Sequence, residues 1–135
     1  MRLTQTAEYA LRVLAHMTTL PEGTTSRAQD LSDITDIPLH YLSKIMRRLV
    51  NAGLLRSQKG HGGGFKIAKP LTKIRFIDVL QAVDYEVEPT SCVFGWERCN
   101  SAQPCPLHPF WSHLKEDFTH WAENYTLADV KTNHS

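Results

Sequence analysis

Apolar residues return along the first fifty positions at helical intervals. Leu3, Ala7, Ala10, Leu11, Leu14 and Met17 share one face, which predicts a helix over 3–20 closed by Pro21 and Gly23. Glu8 and Arg12 lie four apart on its outer side, in position for a surface ion pair. Ser26 and Gln29 have the spacing of a capping box, and a short helix to about Ile34 follows with Ala28, Leu31 and Ile34 inward. Thr35-Asp36-Ile37 reads as a tight turn. Pro38 opens a second helix, where its missing N–H costs nothing. Leu42, Ile45, Met46 and Leu49 form its apolar stripe, and Gly53 stands at the C-terminal cap. Short helix, turn, longer helix is the helix-turn-helix pattern.

The period then shortens. Leu54-Leu55-Arg56-Ser57 and Phe65-Lys66-Ile67-Ala68 read as two strands joined by Gly60-His61-Gly62-Gly63-Gly64, a hairpin over 54–69 ended by Pro70. The glycine run lacks the Gly-Lys-Ser/Thr ending of a phosphate-binding loop, and a strand rather than a helix follows it. Ile74, Ile77, Val79, Leu80 and Val83 predict a further short, mostly buried helix. Near the end, Trp111, Leu114, Phe118, Trp121 and Tyr125 are spaced 3, 4, 3, 4, the spacing of a coiled-coil seam with large knobs. So small a chain has little of its own to cover that seam, so a homodimer is expected through it. The competing reading packs the seam on the chain's own helices at 3–20 and 74–83.

Charge sharpens the first half of this picture. Net charge is only +1, but residues 1–75 carry 12 Lys/Arg and 5 Asp/Glu, a balance of +7. Residues 76–135 carry 3 and 9, a balance of −6. A basic helix-turn-helix half predicts a polyanionic partner, double-stranded DNA, with the second helix in the major groove. His40, Tyr41, Ser43, Lys44, Arg47 and Arg48 lie outside its apolar stripe and are candidate contacts to bases and phosphates. Ser26 and Arg27 at the start of the short helix, and Lys59, His61 and Gly62 at the wing tip, complete the candidate set.

All three cysteines fall between residues 92 and 105, as Cys92-x6-Cys99-x5-Cys105, and His108 follows three residues later. Gly95, Pro104, Pro106 and Pro109 forbid a continuous helix there, so a loop is predicted. Three thiolates suit an iron–sulfur cluster or a soft metal. Zinc is a rival, but structural zinc sites space their cysteines more closely and the wider gaps here fit a cluster better; a metal-free thiol sensor is the other alternative. An odd number of cysteines argues against a disulfide framework. Three thiols leave room for a fourth ligand, and His108 needs no second chain to reach the metal.

These residues together resemble a known family: the winged-helix regulators typified by the iron–sulfur-cluster-assembly regulator (IscR) and the nitric-oxide-sensitive repressor (NsrR). The carrying features are Met-Arg-Leu-Thr at the start with Tyr9-Ala10-Leu11-Arg12, then Tyr41-Leu42-x-Lys44, Arg48-Leu49 and Ala52-Gly53-Leu54. Gly60-x-Gly62-Gly63-Gly64-Phe65-x-Ile67-Ala68, Ile77-Asp78-Val79, the three cysteines and Thr126-Leu127-Ala128-Asp129 extend the likeness nearly end to end. Six residues separate Cys92 from Cys99 where many relatives have five. The resemblance implies a homodimeric regulator whose DNA affinity depends on a cluster, either 2Fe-2S or 4Fe-4S. His108 resembles the histidine ligand of the assembly regulator. Glu8 stands where the nitric-oxide-sensing type has an acidic ligand that reaches across the dimer, and is the second candidate.

The expected fold is mostly α with a small β-hairpin wing: a winged helix-turn-helix over 1–83, a cysteine-rich cluster-binding loop over 84–110 and a long dimerisation helix over 111–130. The expected function is a repressor governed by a cluster that senses nitric oxide, redox state or iron–sulfur status; the alternative is a thiol or zinc sensor of the same fold. No nucleophile–base motif points to an enzyme, and an electron carrier has no need of a helix-turn-helix. The N-terminus shows no apolar signal region and no run of about 18 apolar residues occurs, so a cytoplasmic protein without a membrane partner is expected.

Overall fold

The fold is taken from a computed structural model of the chain, which describes residues 4–83 and 108–133, with side chains in the second stretch from 113 to 130. The cysteine loop, with Cys92, Cys99 and Cys105, lies outside the described residues, as do the side chains of His108 and Trp111. Helix α1 spans Gln5–Thr18 and is capped by Thr4, whose hydroxyl accepts from the Ala7 N–H at 3.2 Å. Ala7, Ala10, Val13, Leu14 and Met17 are its buried face. Helix α2 spans Ala28–Thr35 and helix α3 spans Leu39–Asn51, with Pro38 at the N-cap. The turn between them is made by Asp36 in the left-handed region, φ 60°, a conformation that Asp tolerates better than most residues. Ile37 then drops into the core, and Leu42, Ile45, Met46 and Leu49 bury the predicted stripe of α3.

Two short strands, β1 (Leu55–Gln58) and β2 (Gly64–Ile67), form the antiparallel wing, with Leu55 opposite Ile67, Arg56 opposite Lys66 and Ser57 opposite Phe65. The Ser26 and Phe65 backbones bond reciprocally, at 2.8 Å and 2.7 Å, which ties the entrance of α2 to the wing. Two glycines permit this. A Cβ on Gly63 would press on the carbonyl oxygens of Gln58 and Gly60, and one on Gly64, at φ 146°, would strike the Ser26 backbone.

A 3-10 turn at Leu71–Lys73 leads to α4 (Phe76–Ala82), then α5 (His108–Asn124) and α6 (Leu127–Asn133). α1 packs against α3, α4 and α6, and α4 packs against α5, so one core joins the first half to the last two helices. Arg75 and Thr126 form an isolated antiparallel bridge, with Phe76 N–H donating to the Tyr125 carbonyl and Leu127 N–H to the Ile74 carbonyl, both at 3.0 Å. An acid three residues on accepts from each backbone N–H: Asp78 from Arg75 at 2.9 Å, Asp129 from Thr126 at 2.8 Å. The Asp78 carboxylate also holds the exposed Arg75 guanidinium at 3.1 Å, a hydrogen bond and charge that raise the arginine's pKa. Among the described residues no helix is long and apolar enough to cross a membrane.

The structure departs from the expected elements in five places, the first being that α5 begins at His108, with Pro109 in its first turn where a proline's missing N–H is tolerated, so that 108–110 are not loop. Ser26 does not cap α2: its backbone is committed to Phe65, and Arg27 takes the N-cap position without a side-chain bond. Ile34 is not inward but 61% exposed; Thr35 is buried in the stripe with Leu31, its hydroxyl bonded to the Leu31 carbonyl. Arg12 does not pair with Glu8 but lies over the Tyr9 ring, 5.2 Å from its centroid, and reaches the Thr35 carbonyl at 3.4 Å. The single helix expected over 111–130 is two, because the Thr126–Asp129 cap starts a new one after Asn124.

Candidate nucleic-acid interface

The polar residues of α3 fall into two groups. His40, Lys44 and Arg47 are exposed and Ser43 half-exposed on the side away from the buried stripe. Tyr41 turns toward the body of the protein, and Arg48, though exposed, reaches back to it. The Tyr41 hydroxyl bonds Thr6 Oγ1 at 2.8 Å and its ring meets Tyr9 edge-on at 5.3 Å, so it anchors α3 to α1. Arg48 donates to the Val83 carbonyl at 3.4 Å, at the C-terminal end of α4 where a cation is favoured. Between these groups, Thr6, His40, Tyr41, Lys44, Ile45 and Arg48 line a cleft of about 360 Å³.

The wing adds to the same charge. No Asp or Glu occurs from Ile37 to Ile77, while Lys44, Arg47, Arg48, Arg56, Lys59, Lys66, Lys69, Lys73 and Arg75 do. Arg56 and Lys66 are direct cross-strand partners, a like-charge pairing that destabilises a hairpin unless an anion lies over it. Lys59, His61 and Gly62 are exposed at the wing tip, and Arg27 is exposed one residue from the Ser26–Phe65 bridge. The Ser26–Phe65 backbone bonds thus tie the start of α2 to the cationic hairpin, an arrangement that suits a phosphate backbone.

The candidate metal ligands are less complete. Glu8 sits in the first turn of α1, half-exposed on the side opposite the helix's buried face. His108 is the first residue of α5. Among the described residues no three His, Cys, Asp or Glu side chains gather to hold a metal ion. The candidate dimer residues divide. Leu114 is 53% and Tyr125 46% exposed, whereas Phe118 and Trp121 are half-buried against the chain's own core. Trp121 lies 4.8 Å from the ring of Phe76 and 5.5 Å from that of Phe118.

Comparison with known structures gives the same fold. The cysteine regulator CymR (YrzC) of B. subtilis superimposes with a TM-score of 0.83 at 16% identity over 98% of each chain. IscR of T. potens gives 0.77 at 16% identity over all of this chain and 89% of its own. The oxidized form of Staphylococcus aureus CymR gives 0.74 at 19% identity, over 94% of this chain and 93% of its own. At such identities these likenesses establish architecture alone. The Rrf2 family model, described as iron-dependent transcriptional regulator, matches residues 3–133, nearly the whole chain, and the protein therefore belongs to the Rrf2 family of transcriptional regulators.

Proposed function

We propose that this protein is a homodimeric, DNA-binding repressor whose operator affinity is set by an iron–sulfur cluster that reports nitric oxide, redox state or iron–sulfur status. The observation that carries the DNA half is the exposed set His40, Lys44 and Arg47 on α3, together with the Arg56–Lys66 pair on the wing, within a stretch of sequence free of acids. Residues 1–83 act as the DNA-binding unit, 84–110 hold the cluster, and the helices from 111 to 130 join two copies through the exposed Leu114 and Tyr125.

The donor set fits a cluster. Cys92, Cys99 and Cys105 offer three soft thiolates within fourteen residues of sequence, the ligand type that iron–sulfur clusters take. When bound, the cluster supplies a redox- and nitric-oxide-reactive centre. His108 is the favoured fourth ligand. Glu8 is the second candidate, and its carboxylate makes no ion pair with Arg12. A second reading, a metal-free or zinc-binding thiol sensor, is favoured by the likeness to CymR, one of whose structures is an oxidized form.

Anaerobic purification with an absorption spectrum and iron, zinc and sulfide assays tests the proposal. Iron and sulfide in matching amounts, lost in Cys99→Ser, support it. Zinc, or a metal-free protein whose DNA affinity changes on thiol oxidation, supports the second reading. Spectra of His108→Ala and Glu8→Ala then assign the fourth ligand: the altered one marks it.

A further inference from the structure

Four large apolar side chains stand exposed among the described residues, and two of them, Leu114 and Tyr125, belong to the proposed dimer surface. The other two, Ile34 and Leu39, flank the turn of the helix-turn-helix. Leu39 is the first residue of α3 and is 39% exposed, beside the exposed His40 and before the outward Ser43 and Lys44. With more than a third of its surface open to water, Leu39 leaves apolar area uncovered in the opening turn of an otherwise polar helix face. The first turn of such a helix is the part nearest the base edges in the major groove. The apolar group that the major groove offers there is the 5-methyl of thymine. Lys44 and Arg47, exposed on the same helix, favour DNA as the occupant of this patch, while the nearest acid in sequence is the exposed Asp36 of the preceding turn.

We propose that Leu39 is a specificity-determining residue that packs against the methyl group of a thymine in each operator half-site. The inference rests on the DNA-binding reading above and deepens it. Only packing is involved: the methyl leaves water against the leucine side chain, and uracil in place of thymine removes nothing else.

The test begins with selection of duplexes from a random library by the wild-type dimer. Each thymine of the enriched site is then replaced in turn by deoxyuridine. One position per half-site should weaken binding by about fourfold, the effect expected for one buried methyl. Leu39→Ala should bind the thymine and uracil duplexes equally, with its affinity for random duplex unchanged, while Leu39→Met should keep the difference. No enriched duplex would overturn the DNA-binding reading itself. An enriched duplex without thymine-methyl sensitivity in the wild type, or with sensitivity that survives in folded Leu39→Ala, would overturn the role of Leu39 alone. Loss of dimerisation in Leu39→Ala, read by sedimentation, would instead assign the patch to a second copy and overturn the proposal.

Discussion

At the scale of single residues, the polar side chains of α3 do different work although they share one helix. His40, Ser43, Lys44 and Arg47 face outward, while Tyr41 and Arg48 fasten the helix to α1 and α4. The side chains expected to meet DNA must be held in place by packing, and Tyr41 supplies such packing through Thr6 and Tyr9. Its hydroxyl is partly buried, and Tyr41→Phe leaves the Thr6 hydroxyl without that partner. We expect a stability loss of about 1 kcal/mol in chemical denaturation. Duplex affinity at fixed salt should stay that of the wild type, because no contact to DNA is removed. Weaker binding by folded Tyr41→Phe would place this hydroxyl on the DNA instead. Sequence alone leaves this distinction hidden. Periodicity separates the buried stripe from everything else, but it does not say which polar residues meet a neighbouring helix, since that depends on where α1 and α4 come to lie.

At the scale of elements, the wing and the C-terminal helices both depend on backbone pairings that fix geometry. Gly64→Ala would set a methyl against the Ser26 backbone in a conformation that costs an L-residue energy. Thermal unfolding should fall by several degrees, with the wing's hold on duplex weakened as well; an unchanged melting curve would show that the Ser26–Phe65 bridge is dispensable. For α5 the two kinds of seam residue should separate. Trp121→Ala removes packing on Phe76 and should cost about 2–3 kcal/mol of stability, below the range for a fully buried aromatic. Leu114→Asp, at an exposed position, should leave unfolding nearly unchanged and give monomers in sedimentation. The α3 stripe and α4 were legible because period 3.6 is clean there, and the hairpin because a glycine run and Pro70 bound two short segments, although burial along the strands does not alternate. Other features were not. The 3, 4 spacing of aromatics runs through Tyr125 without a break, yet Thr126-x-x-Asp129 was a readable capping box that starts α6. The Ser26-x-x-Gln29 box misled because a tertiary bond to Phe65 claimed Ser26. Ile34 had core spacing, but Thr35 and Ile37 fill the core around the left-handed turn at Asp36.

At the scale of the whole molecule, the protein places a cationic, acid-free surface on one part of the chain and an acidic, cysteine-bearing region on the other. The Arg75–Thr126 bridge and the shared core connect the two halves, and Arg48 bonds the Val83 carbonyl between α3 and the end of α4. Regulation of this kind requires that α3 dock on duplex DNA. That docking is read by duplex affinity across a range of salt concentrations, for the wild type and for Lys44→Ala with Arg47→Ala. We predict weaker binding of the double variant and a log–log salt slope shallower by about one unit for each phosphate it no longer neutralises. The same affinity and slope in both proteins would rule out α3 as the docking helix.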